Sequence, residues 1–185
     1  QSVYDYPYLS SSANHIFDLT AGYPANSPLS GTEATTVQQS KKNNVYNQMA
    51  QVLSGFDATG TVQQFDADGN FAAGGTKYQN VFFINFARLL AKDEIQKGTF
   101  SLSVYASGTY VAPTAGEYGL LKDDNSENVG LLFYQAGVAV LTASIFGKDN
   151  TGANAGGKTF DANGRTLSAS LTGSSIGDIS DGVRA

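Results

Sequence analysis

The stretch Asp66-Ala67-Asp68-Gly69-Asn70 sets oxygen-bearing side chains at alternate positions, as the opening of a calcium loop presents hard ligands to that ion. A complete loop of the EF-hand kind needs another ligand ahead of the glycine and a Glu six positions after it. Position 75 is Gly, so the stretch reads as an Asp-rich hairpin turn that needs no metal. Two further acidic groups, Asp93-Glu94 and Asp123, Asp124 and Glu127, contain the residue type that glycosidases use in pairs. Their turn-like surroundings and the absence of Trp for sugar stacking make them solvated turns. His15 is the one histidine, so any His-based triad must use it, with Ser10, Ser11, Ser12 and Asp18 supplying the other residue types. No Gly-x-Ser-x-Gly elbow accompanies them, and His15 reads as a packing residue. The pairs Gly74-Gly75 and Gly156-Gly157 lack the strand and helix that frame a phosphate loop and read as flexible turns. Tyr4, Tyr6 and Tyr8 alternate as one face of an extended segment, suited to stacking on bases or sugars or to pairing with a partner's sheet edge.

Composition narrows these options. The 185 residues contain no Cys, so thiol nucleophiles, disulfides and cysteine-based zinc sites are excluded. That usage fits a reducing cytosol or a particle assembled in one. Charged residues reach only 15%, against about 25% in an average soluble domain, so the surface must be largely uncharged and polar. The net charge of −5, with bases scattered apart from Lys41-Lys42, argues against nucleic acid and makes partner contact the better use of the tyrosines. The apolar runs at Val81 to Phe86 and Val138 to Leu141 are far shorter than the ~20 residues of a membrane helix, so no membrane partner is expected. A start at Gln1 without a basic, apolar leader suggests a processed product or a segment of something longer.

The elements that would position these residues can be read from periodicity. Residues 1–32 hold Pro7, Pro24 and Pro28 and the run Ser10-Ser11-Ser12, and read as an irregular, extended arm that reaches a neighbouring subunit, with a single β-rich domain over 33–185. Val45, Met49, Val52 and Leu53 recur at helical spacing and predict one amphipathic helix over 41–54, stopped by Gly55. Phe56-Asp57-Ala58-Thr59-Gly60, Phe65-Asp66-Ala67-Asp68-Gly69 and Phe160-Asp161-Ala162-Asn163-Gly164 repeat one pattern, an aromatic anchor leading into a turn with Gly at the positive-φ position. Phe82, Ile84 and Phe86 alternate as a strand, with a short helical turn after them; Thr99 to Tyr105 and Arg165 to Thr172 alternate likewise, and 106–119 reads as a loop. Leu131 to Tyr134 and Val138 to Leu141 form a tight hairpin, apolar on successive residues and hence covered on both faces. Gly147, Gly152, Gly156, Gly157 and Gly164 mark a long contact loop. The sum is a mainly β, sandwich-like domain with one helix; α+β is the alternative class.

Two segments resemble virion structural proteins of tailed bacteriophages, especially T4-like phages of marine cyanobacteria. The first runs Asn80-Val81-Phe82-Phe83-Ile84-Asn85-Phe86, then Asp93-Glu94-Ile95 and Lys97-Gly98-Thr99-Phe100-Ser101-Leu102. The second runs Val129-Gly130-Leu131-Leu132-Phe133-Tyr134-Gln135-Ala136-Gly137-Val138-Ala139-Val140-Leu141-Thr142. The segment from Tyr6 to Ala13 is similar too, while the loop between Tyr105 and Tyr118 is short for the group. The resemblance implies a non-enzymatic subunit of a tail, baseplate or neck, assembled in the host cytoplasm. Its expected partners are other virion structural proteins and copies of itself, with no catalytic residue, cofactor or metal. The alternatives are a secreted or surface β-sandwich binding or adhesin module and, in a third class, an acid-based hydrolase.

Overall fold

A computed structural model of the chain describes residues 2–5, 14–27, 37–71, 74–86, 94–103, 109–111, 117–123, 126–143, 158–160 and 166–168. Its strands are β1 (Ser2–Asp5), β2 (Asn14–Gly22), β3 (Val81–Phe86), β4 (Ser101–Ser103), β5 (Thr109–Val111), β6 (Tyr118–Lys122), β7 (Asn128–Phe133), β8 (Val138–Thr142), β9 (Lys158–Phe160) and β10 (Thr166–Ser168), with one helix, α1 (Val37–Leu53). The first eight form one sheet in the order β1-β2-β3-β8-β7-β6-β5-β4, and every pairing in it is antiparallel; β9 and β10 pair separately. The described residues are thus mainly β with one helix, as the periodicity predicts.

Alternation sorts the side chains of the central strands onto two faces. Val81 and Phe83 of β3, Leu131 and Phe133 of β7 and Val138 and Val140 of β8 pack with Tyr46 and Ala50 of α1 and with Phe65 and Tyr78. Phe82 and Ile84, Leu132, and Ala139 and Leu141 point the other way, into a second cluster with Leu19, Leu121 and Tyr134. Phe100 and Leu102, at the β4 end of the sheet, pack on that second cluster, and the Phe100 ring lies 5.6 Å from that of Phe86 on β3. The sheet therefore bends back over its own second face, which gives the sandwich-like character from one continuous ladder. The hairpin forms as expected, with β7 and β8 in register from Gly130↔Leu141 to Phe133↔Val138 and Gly137 at φ 66° in the turn.

Residues 14–22 depart from the expected irregular arm. They form β2, paired with β3 over six positions from Phe17↔Phe86 to Gly22↔Val81, and Leu19 is fully buried. Proline forbids a ladder hydrogen bond only where it stands, and Pro7, Pro24 and Pro28 all fall outside the strand. The segment thus completes its own domain's core rather than a neighbour's. Residues 6–13 and 28–36 lie outside the described residues.

Helix α1 starts earlier than predicted; Val45, Met49 and Leu53 of the predicted stripe pack against the core, but its centre lies elsewhere. Tyr46 and Ala50 are the fully buried positions, whereas Val52 is 80% exposed. The tyrosine is tolerated there because its hydroxyl donates to the Tyr78 carbonyl (2.9 Å) and accepts from the Phe65 N–H (3.3 Å). The helix stops as expected, with Gly55 at φ 76° and its N–H on the Ala50 carbonyl. Where α1 crosses β2, a Cβ on Gly22 would lie 3.1 Å from the Phe83 ring and 3.1 Å from the Tyr46 nitrogen. Gly22→Ala should therefore push the helix off the sheet and destabilise the fold by about 1–3 kcal/mol, as read from the urea midpoint.

The repeated Phe-Asp turns divide in role. Gly60 and Gly69 both adopt positive φ, 81° and 70°. Phe65 is fully buried, but Phe56 is 53% exposed and anchors nothing. In place of flanking strands these turns have single bridges, Phe56↔Val62 and Asp66↔Lys77. The third copy, beyond Phe160, lies outside the described residues, as do most of the expected strand over 165–172 and the long Gly-rich loop.

Candidate functional site

On the helix side of the sheet, Asp18 and Thr20 project from β2 and stand opposite Asn85 and Phe83 of β3 in the ladder. Helix α1 covers the Gly22 end of this surface and leaves the Asp18 end open. The result is a cleft of about 330 Å³ lined by Asp18, Thr20, Val45, Gln48, Met49, Phe83 and Asn85. Buried Phe83 and half-buried Val45 and Met49 form its apolar side, and a carboxylate, a hydroxyl and two amides form its polar side.

Asp18 is held in place from its own sheet. His15 Nε2 donates to Asp18 Oδ1 at 2.9 Å, and Tyr4 of the neighbouring β1 packs its ring 5.3 Å from the imidazole. A hydrogen bond from Ser2 holds the Asp18 carboxyl below its ordinary value; partial burial opposes this, and the hydrogen bond and charge of His15 reinforce it. Asp18 is thus an anion at neutral pH with 40% of its side chain open. The His15–Asp18 half of the imagined triad is real as a contact, while Ser10, Ser11 and Ser12 lie outside the described residues. The pair orients a carboxylate at the edge of a cleft.

The other chemistry-bearing residues resolve into turns. Asp66 is fully buried and ion-paired with Lys77, its partner across the bridge. Burial resists ionisation of Asp66, but the hydrogen bond from Lys77, its charge and the hydrogen bond from the Asp68 N–H outweigh it and hold the carboxyl below its ordinary value. Gly75 stands where the calcium loop would need Glu, and a Cβ there would sit 3.5 Å from Asp66 Oδ1. Asp68 is engaged by Asn70, whose side-chain amide donates to it at 2.8 Å. Asp66 therefore already carries its cation, and thermal melts in chelator and in millimolar calcium should coincide; a shift of several degrees would show a metal site.

The same pair sets an acid dependence. A carboxyl whose folded pKa lies below its unfolded one contributes stability that is complete above the unfolded value, here 3.8, and is lost as pH falls through the folded one. Asp66→Asn removes that titration, so its stability should fall less steeply than wild type below pH 3.8, as read from denaturant midpoints across an acid series. Equal slopes would show that Asp66 ionises alike in both states.

Asp123 closes its own turn by accepting from the Glu127 N–H at 2.9 Å, and Glu94 is exposed; Asp93 and Asp124 lie outside the described residues. Among the described residues no group of three or more His, Asp or Glu is placed to hold a metal ion, and no helix is long and apolar enough to cross a membrane. Thr20, Gln48 and Asn85 carry no motif, and only their position opposite one another across β2, β3 and α1 makes them a site. The fold and site together define an antiparallel β protein with a helix on one face and a mixed polar and apolar cleft at that helix's edge. Comparison of the chain with protein-family models, with curated proteins and with solved structures finds no match.

Proposed function

We propose that the chain is a non-enzymatic structural subunit of a phage virion, in the tail, baseplate or neck, that works through contacts with neighbouring virion proteins and with copies of itself. The observation that supports this reading is where the two phage-like segments meet. Asn80 to Phe86 supplies β3, Val129 to Thr142 supplies β7 and β8, and these three strands are consecutive at the centre of the sheet. Much of the resemblance thus falls on the strands at the centre of the sheet. A polar surface of low charge suits a subunit whose contacts are broad and hydrogen-bonded.

Quantitative mass spectrometry of purified intact particles tests the proposal. The chain should be present at a fixed ratio to the major capsid protein, few copies meaning neck or baseplate and hundreds meaning a tail tube or sheath. Its absence from purified particles would overturn the reading and favour a surface binding module, for which a glycan array is the direct assay.

A further inference from the structure

We infer that the cleft between α1 and the β2–β3 pair is a binding site for an arginine side chain. Its acceptors carry the argument. Asp18 offers a carboxylate, Asn85 and Gln48 each offer an amide oxygen, and Thr20 offers a hydroxyl oxygen. Among the described residues no Lys or Arg lines the cleft to neutralise that set. The carboxylate already accepts from Ser2 and, through Oδ1, from His15, and 40% of the Asp18 side chain stays open. A guanidinium presents five N–H donors in a planar fork and accepts nothing, which matches a site rich in acceptors better than the point charge of a lysine does. Beside the acceptors, Val45, Met49 and Phe83 provide apolar wall for the three methylenes of an arginine stem. The volume of about 330 Å³ lies at the small end of ligand sites and has room for one such side chain. A neutral sugar or amide would bring no positive charge to the carboxylate, and an anion would meet it directly.

That the arginine belongs to a neighbouring subunit rests on the structural reading above; the preference of the cleft for a guanidinium does not. In an assembly such a contact would be a small, specific anchor within a polar interface, where arginine is enriched over lysine.

The test uses the full chain and blocked arginine, N-acetyl-arginine methylamide, followed by amide chemical shifts in ¹H–¹⁵N spectra. Saturable shifts are expected at Asp18, Thr20, Val45, Gln48, Met49, Phe83 and Asn85, with millimolar affinity. Blocked citrulline, nearly isosteric but uncharged, should bind about tenfold more weakly or not at all. Asp18→Asn should lose binding to the same degree while keeping a folded spectrum. Gln48→Lys, a change at an exposed helix position that a good helix former tolerates, should reduce it by placing a competing cation at the rim. Shifts that never saturate, equal binding of citrulline, or an Asp18→Asn variant that binds as well as wild type would each overturn the assignment. These outcomes are independent of whether the chain is found in particles, so failure of one reading is distinguishable from failure of the other.

Discussion

A chain lacking residues 1–22 should fail to fold, with no cooperative urea transition and a collapsed near-ultraviolet circular dichroism signal. By sequence alone those residues belong to an irregular arm over 1–32 that reaches a neighbouring subunit. The structure makes them two strands of the sheet. Deletion removes the β2 ladder along all six paired positions of β3, and it takes fully buried Leu19 and nearly buried Ala21 out of the second core cluster. Losing one buried Leu leaves a cavity worth about 3–5 kcal/mol, and the stripped edge of β3 adds to it, so the sum approaches the whole ~5–15 kcal/mol that holds a domain of ordinary stability. Deleting residues 1–5 is the control. That change removes only β1, a four-residue edge strand whose register is already broken between Val3 and Tyr4, and cooperative unfolding should survive it. A truncated chain from residue 23 that unfolds cooperatively near the wild-type midpoint would show that β2 is an accessory strand.

Phe133→Ala should cost about 3–5 kcal/mol. Phe133 ends β7, between β6 and β8, and is 6% exposed. Its ring lies 6.1 Å from that of Phe65 and 5.7 Å from that of Tyr118, while the Phe65 ring in turn meets Tyr46 of α1 and Phe83 of β3. Truncating Phe133 opens a cavity under that aromatic group, and strands fixed by ladder hydrogen bonds cannot close it. Phe133→Leu, which keeps most of the volume, should cost about 1.5 kcal/mol or less. Urea titration of both variants checks this; a loss under ~1 kcal/mol for the alanine would mean that the ring does not fill the core.

Local signals in the chain were enough for the hairpin at Leu131 to Leu141, the strand at Val81 to Phe86, the stop at Gly55 and the turns at Gly60 and Gly69. Each depends on residues close in sequence: an apolar run, an alternation, or a position that only glycine occupies without strain. The Asp66 turn was legible for the same reason, because a missing Glu is visible at position 75 without knowing where Lys77 points. The residues lining the cleft were not legible as a site. Asp18 attracted notice only as a possible triad member, and Thr20, Gln48 and Asn85 are ordinary polar residues on separate elements.

Amino-acid order by itself determined the mainly β class with one helix, the central strands and the turn chemistry, since these follow from periodicity and from steric limits on φ. Tertiary structure alone decided three things. It placed 14–22 inside the sheet, because the open edge of β3 offers six paired positions that no local pattern announces. It turned Tyr46 rather than Val52 toward the core, because the Tyr78 carbonyl lies where the tyrosine hydroxyl can donate to it. And it made a cleft of Asp18, Asn85 and Gln48, because α1 covers only one end of the β2–β3 surface, and where a helix stops covering a sheet depends on packing across the whole domain, not on the residues beside the gap.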